Sequence, residues 1–511
     1  MPMRRAEDGV GMDKAVRAYV YPTWLTKESR KSWEHVTQGD PVLTNAREHV
    51  ARARGQTATT TDPHGIKECI MSPAKRDAKK QVKARQRRHR TAQERLARDR
   101  RQAQHAAKVL EQALQDLGLP ANLVAEIEGR LRSQKKLLGK IVGMMCPPLF
   151  GCRTNAELCR VRGWDKNLPS RLLGALPKRA WLKRLRRLGV DVLVPLWRHT
   201  ASKSEATRSR WQWTWVGDDS VFKKYSEQLV LVGTWWSGQE HRVLSGIDGV
   251  LLVVVIGDGK LVVPVDFAIR RPDPTGPGAP CCDKLHWLQG MLDGRVAAFR
   301  RRGVALPPPM VVADSWFSDS KLMRHVATTH EGTFLVEGKS TYTFELPDGR
   351  QVQGSDLQQP SDWPWCESPQ VPGVRYVRLR ATSPTYGAVT IVIVHEPGVE
   401  LYYLLCLETD FSGPRLIRAW KRRHWIEHCF RTLKHLLATG ACQVQSEEAY
   451  YGHLVLRLMG CLVLFYTSRV ICKGRLTMEE IIFSLKHYWR FVDCEVLELK
   501  ALSQEGDEIA S

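Results

Sequence analysis

Two runs of β-branched residues set the strictest limit on how this chain folds. Residues 246–256 read Gly-Ile-Asp-Gly-Val-Leu-Leu-Val-Val-Val-Ile, residues 260–269 read Lys-Leu-Val-Val-Pro-Val-Asp-Phe-Ala-Ile, and Gly257-Asp258-Gly259 joins them. An Asp-Gly step between two such runs predicts a tight antiparallel hairpin. Just before it, the period-two stretch from Trp211 to Gly217 predicts another strand, ending at Asp218-Asp219-Ser220. After the hairpin comes a Pro/Gly-rich loop, Arg271 to Pro280, then a helix over about 284–302. Met310-Val-Val-Ala predicts a short buried strand ending at Asp314. Ser318 to His325 restarts a helix, and Thr333-Phe-Leu-Val-Glu gives another strand.

Three strands, helix, strand, helix, strand is the order of an RNase H-like α/β fold, with the first three strands antiparallel and later ones reached through helical crossovers. Residues 340–412 break that order. They alternate apolar and polar, as in Arg375-Tyr-Val-Arg-Leu-Arg, with turns at Pro347-Asp-Gly and Pro384-Thr-Tyr-Gly, and predict a β-rich insertion. The helix carrying Glu427 then lies in 413–475, the second part of the core begun at 206–339, and 476–511 forms a C-terminal helical tail.

The first 200 residues read differently. Residues 1–109 form a basic arm, irregular at first and helical through the Lys/Arg-rich run 75–101, where Arg87 and Arg88 lie in a stretch suited to a phosphate backbone. Residues 110–205 predict a helical DNA-binding domain: Thr154-Asn-Ala-Glu157 is a capping box, and Lys178, Arg179 and Lys183 lie on a helix with a basic face. A polar linker covers 200–210.

Composition agrees with a polyanionic partner. The 511 residues carry a formal net charge of +23 with pI near 9.6, and the charge is clustered. Thirteen Cys without a Cys-x-x-Cys pair predict reduced thiols. Cys281-Cys282 with Asp283 and His286 lacks structural-zinc spacing. The charged N-terminus has no apolar h-region, and the most apolar helix, 454–471, is interrupted by Arg457. Both point to a soluble protein and not to a membrane one.

The residues 420–434 read Trp-Lys-Arg-Arg-His-Trp-Ile-Glu-His-Cys-Phe-Arg-Thr-Leu-Lys and contain neither Gly nor Pro. At roughly 100° per residue Trp420, Arg423, Glu427 and Lys434 fall within about 60° of one another. Trp425, Cys429, Leu433 and Leu436 share a separate apolar arc. One carboxylate is thus flanked by two cations and an aromatic on a face other than the buried one.

That stripe resembles the Tyr-x2-Arg-x3-Glu-x6-Lys signature of the IS4-type DDE transposases, with Trp420 at the Tyr position and His424 where an aromatic usually follows the Arg. The resemblance implies a DNA transposase that cuts at the ends of an insertion sequence and joins them to target DNA. It implies Mg²⁺, for which Mn²⁺ can substitute, and a homodimer or larger synaptic complex on double-stranded terminal repeats. In-line attack at phosphorus calls for convergent carboxylates around hard divalent ions. The three at the family's places are an Asp at the end of the first strand, Asp314 after the fourth, and Glu427. Periodicity leaves Asp218 and Asp219 open; the family pattern of Asp before Thr or Ser selects Asp219 as both catalytic residue and metal ligand. Arg423 and Lys434 would hold phosphates, with Arg431 beside them, and Trp420 would stack on a displaced base. Asp319 fits a helix cap. Two alternatives stand beside this reading: an inactive, transposase-derived DNA-binding protein, and a zinc peptidase built on His424-x-x-Glu427-His428.

Overall fold

The computed structural model describes residues 73–119, 127, 137–201, 212–238, 240–272, 284–359, 363–369 and 371–486. The arm before 73, the linker of 200–210 beyond its first two residues, Cys281 to Asp283 and the tail beyond 486 lie outside the described residues. The chain divides into two compact units, one of residues 1–105, 159–165 and 487–511, the other of 106–158 and 166–486.

Helices α1 (Pro73–Asp116), α2 (Leu137–Met145), α3 (Asn155–Val161), α4 (Leu168–Leu173) and α5 (Lys178–Ala201) come first. The basic run thus lies within a 44-residue helix, with Arg87 and Arg88 exposed on it. Thr154 accepts the Glu157 N–H at 3.0 Å, the expected cap at the start of α3.

The larger unit is built on one mixed sheet of twelve strands. β1 (Trp213–Lys223), β2 (Gly233–Ser237), β3 (Arg242–Ile256) and β4 (Leu261–Ile269) are antiparallel where they pair. The β3–β4 hairpin turns through Gly257 and Gly259, both at positive φ, so the Gly-Asp-Gly signal forms the expected turn. Helix α6 (Lys284–Arg301) leads to β5 (Met310–Ala313), and α7 (Ser320–His330) leads to β6 (Thr333–Glu337). β5 and β6 are parallel to each other, and β5 is parallel to β1. Asp319 caps α7 as expected, accepting from the Leu322 N–H at 2.8 Å.

Residues 340–412 extend this sheet instead of forming a separate module. They contribute β7 (Thr343–Glu345), β8 (Gln351–Gln353), the short helix α8 (Gly354–Leu357), β9 (Cys366–Glu367), β10 (Arg375–Ser383), β11 (Gly387–His395) and β12 (Tyr402–Leu407). β12 lies against β6, so the strand order runs β2-β3-β1-β5-β6-β12-β11-β10-β7-β8, with β4 also on β3. Then follow α9 (Gly413–Lys421), α10 (His424–Arg431) and α11 (Glu447–Tyr466). Helix α9 covers the sheet with Leu416, Ile417 and Ala419, which pack on Met310, Val312, Leu335, Val392 and Leu404.

Helix α5, within the 110–205 segment, is joined to the sheet. The carboxylate of Asp266 on β4 is buried between Arg186 of α5 at 2.8 Å and Arg295 of α6 at 3.3 Å, tying both helices to the sheet. Helix α11 packs against α5, α2 and β4. By length and composition Glu447–Ile471 could cross a membrane, yet most of its apolar window is buried in the protein. Arg457 is 1% exposed there and donates to the Met144 and Met145 carbonyls at 3.1 and 3.4 Å, closing the end of α2. Among the described residues no cysteine is in a disulfide.

Candidate functional site

The sheet register builds the site. Gly217 of β1 stands opposite Ala313 of β5, and Ala313 opposite Val336 of β6, all in parallel strands. The next residue along each strand is Asp218, Asp314 and Glu337. Three acids therefore stand in a row where parallel strands end, which is where open α/β sheets place their ligands. β1 itself does not end at the Asp pair: it continues to Lys223 against the long β3, while β5 stops at Ala313.

Alternation along β1 separates the two aspartates. Asp218 shares a face with Phe222, whose ring meets Phe430 of α10 at 6.2 Å. Asp219 shares the opposite face with Gly217, where a Cβ would come within 2.5 Å of Leu288 on α6. There Asp219 pairs with Lys284 at 2.6 Å, beside buried Asp248, whose carboxylate lies 3.3 Å from the same ammonium. The structure thus brings Asp218, and not the expected Asp219, to the side of Asp314 and Glu427. The residue before Ser fits the family pattern, but the pleat turns its side chain away.

Arg423 is the centre of the cluster. One guanidinium nitrogen donates to Glu427 at 2.9 Å, and the other lies 3.1 Å from Asp314 and 3.5 Å from Asp218. Exposure rises from 12% for the Asp218 side chain through 34% for Asp314 to 51% for Glu427. Burial raises the Asp218 carboxyl to about 7, opposed by Arg423 and reinforced by Asp219 and Asp314. Burial also raises Glu337, with Arg423 opposing and Asp314 adding to it. Burial acts to lower the Arg423 pKa, and Asp218, Asp314, Glu427 and Glu337 together outweigh it and raise it.

A pH dependence follows for the metal-free protein. Since folding raises the Asp218 pKa from 3.8 to about 7, the folded chain binds the extra proton between those values. That contribution to stability is complete below about pH 4 and is lost as pH rises through about 7, up to about 4 kcal/mol in all. Denaturant unfolding in chelator at pH 5 and pH 8 is expected to show this loss in the wild type and not in Asp218→Asn. An equal pH slope in both would place the titration elsewhere.

The expected uninterrupted helix over 420–434 is instead α9, a tight turn at Arg422 and Arg423, α10, and a π-helical turn at Thr432–Leu436. The turn brings the Arg422 side chain inward, where it is 2% exposed and donates to Thr214 at 2.9 Å and to Asp258 of the hairpin tip at 3.3 Å. Gly259 of the same tip lies under Trp425, and a Cβ there would stand 1.9 Å from the indole. The hairpin therefore sets the height of the Glu427 helix above the sheet. Gly259→Ala is expected to cost about 2–4 kcal/mol through overpacking and left-handed strain, measured by denaturant unfolding; a loss below about 0.5 kcal/mol would mean that the helix is seated by other contacts.

The remaining expected residues divide. Trp420 packs partly on the core cluster and lies 5.4 Å from the Arg423 guanidinium. Together with Glu396, Tyr402, Lys421, His424 and Glu427, these two line a cleft of about 380 Å³. Lys434 is half-buried with its ammonium 5.9 Å from the Phe222 ring; burial lowers its pKa, Glu240 opposes and Lys223 adds. Arg431, Arg179 and Lys183 are exposed, whereas Lys178 is held by Glu447 at 2.8 Å. His424 bonds the Lys421 carbonyl through Nδ1, and the ligand atoms of His424, Glu427 and His428 do not all come within 4.8 Å of one another, so the zinc-peptidase arrangement is not formed. Reading the sequence missed Glu337; its only signal is its place as the last residue of a buried strand.

No family model matches the sequence, and no curated protein matches it. Among solved structures, the chain is similar to the piggyBac transposase synaptic complex with hairpin DNA, at 11% identity and a TM-score of 0.32. The match covers 53% of this chain and about half, 51%, of that one.

Proposed function

We propose that this protein is a DNA transposase of the IS4-like DDE type, which cuts at the ends of an insertion sequence and joins them to target DNA. The observation that carries the reading is the meeting of Asp218, Asp314 and Glu427 on Arg423 from two parallel strands and a separate helix. The order β4-β3-β1-β5-β6, antiparallel and then parallel, supports an RNase H-like core. The net charge of +23 supports a nucleic-acid partner.

The donor set fits Mg²⁺ or Mn²⁺: it offers carboxylate oxygens alone, and it already surrounds one positive charge, the Arg423 guanidinium. Asp218, Asp314 and Glu427 would hold the ions, with Glu337 beside them. Bound there, the metal supplies the charge that activates a water or 3′-hydroxyl and stabilises the leaving oxygen. Arg423, released from the carboxylates, would grip a phosphate by its fork, with Lys434 as a second contact. Trp420 offers a flat wall of the cleft to an unpaired base. Arg431, Arg179, Lys183, Arg87 and Arg88 are exposed cations suited to the flanking duplex. Two ends must be held together, so the working form is a dimer or larger synaptic complex, acting on the nucleoid in the cytoplasm.

The test uses DNA flanking the protein's own gene, searched for terminal inverted repeats and incubated with the purified chain and Mg²⁺ or Mn²⁺. Metal-dependent cleavage at the repeat boundary is the expected result. Tight binding of the ends without cleavage would make the chain a retired, DNA-binding descendant, and indifference to those ends would sink the reading.

A further inference from the structure

A second cluster lies away from these carboxylates. Helices α6 and α7 bring Asp293, His325 and His330 together, with their ligand atoms all within 4.8 Å of one another. Among the described residues this is the one group of three His, Cys, Asp or Glu side chains so close. Both imidazole Nε2 atoms converge on the same oxygen, Asp293 Oδ1, at 2.8 Å from His325 and 2.6 Å from His330.

We propose that Asp293, His325 and His330 form a binding site for one zinc-type divalent cation, which clamps α6 to α7. Two imidazoles and a carboxylate are the donors that Zn²⁺ takes, and Mg²⁺, which prefers oxygen, is a poor match. One ring is oriented from outside the cluster, and the other is held by burial, its Nδ1 having no hydrogen-bond partner among the described residues. His325 Nδ1 meets Thr329 Oγ1 at 3.3 Å, the kind of outer contact that orients a ligating imidazole. The His330 side chain is 4% exposed at the last turn of α7, which Glu331 closes at a φ of 53°. Donors on a tetrahedral zinc stand about 3.3 Å apart, so loading requires the Asp293 carboxylate to retreat by about half an ångström. At 38% exposed it has the room, and the open side admits a water as fourth ligand. The clamp would act on the helix that starts six residues after Asp314, and it does not depend on the transposase reading.

The experiment takes the full chain, stripped with chelator and titrated with Zn²⁺ alone, followed by calorimetry and thermal unfolding. A parallel titration with Co²⁺ is read by its visible absorption, which reports nitrogen ligation. One tightly held Zn²⁺ per chain, a raised Tm and a Co²⁺ spectrum of tetrahedral type are expected. His325→Asn, at a partly exposed position, is expected to weaken binding by roughly tenfold or more and to abolish the Co²⁺ bands. Asp293→Asn gives the same comparison if the first variant fails to fold. Glu427→Gln is expected to keep the zinc. No uptake by the wild type at micromolar Zn²⁺, unchanged affinity in both cluster variants, or loss of the ion in Glu427→Gln would each overturn the assignment.

Discussion

Asp218→Asn is expected to abolish metal-dependent end cleavage, while Asp219→Asn keeps most of it wherever the protein folds. The two residues are neighbours in sequence, but the pleat sends their side chains to opposite faces of β1. Asp218 faces Arg423, Asp314 and the Glu427 helix; Asp219 faces Lys284 on α6. A lost metal-binding carboxylate removes several kcal/mol of transition-state stabilisation, on the order of 10³-fold in rate. Asp314→Asn and Glu427→Gln are expected to fall as far. Stability gives the opposite ranking. Asp218 carries a raised pKa, so its amide costs the fold little near neutral pH. Asp219→Asn leaves the Lys284 ammonium with only Asp248 in a partly buried setting, and is expected to lose about 1–3 kcal/mol. Parallel cleavage and unfolding measurements on the four variants decide the matter. Full activity in Asp218→Asn with none in a well-folded Asp219→Asn would return the catalytic role to Asp219.

Arg423→Gln is expected to tighten Mn²⁺ binding to the DNA-free protein by about 10- to 100-fold while cutting end cleavage by a similar or larger factor. In the free protein the guanidinium holds three carboxylates at 2.9 to 3.5 Å, so an incoming cation has to displace it. Charge-assisted hydrogen bonds of this kind are worth about 1.5–3 kcal/mol each, which sets the size of the gain. Cleavage falls because the same side chain, once displaced, is the proposed phosphate contact. Mn²⁺ binding followed by electron paramagnetic resonance, with and without end DNA, separates the two effects. Weaker or unchanged Mn²⁺ binding in the variant would show that Arg423 does not compete with the metal.

The parts of this arrangement that were legible in the sequence were those set by local rules. Gly257-Asp258-Gly259 forms the hairpin because only a tight turn with positive φ joins two strands there. The short run at 310–313 and the Asp319 cap formed as read, for equally local reasons. The i,i+4 pairing of Arg423 with Glu427 survives the break in the helix because the turn at Arg422 remains close to helical. What the sequence concealed was set by long-range register. Whether Asp218 or Asp219 faces the cluster depends on the phase of β1 against β3 and β5, and a one-residue slip reverses it. Glu337 joins the row only because Ala313 and Val336 stand opposite each other. The joining of β12 to β6, which makes one sheet of the supposed insertion, is likewise a pairing of distant segments.

The seating of Trp425 on the β3–β4 tip bears on how this protein can be engineered. By composition, Gly257-Asp258-Gly259 looks like the ideal place to splice in an epitope tag or a fluorescent fusion, since short Gly/Asp turns commonly tolerate inserts. In this chain any added residue there would lift the indole and carry Glu427 with it. The turn at Pro347-Asp348-Gly349 has the same character, with open space around Gly349, and is the permissive site for a cargo.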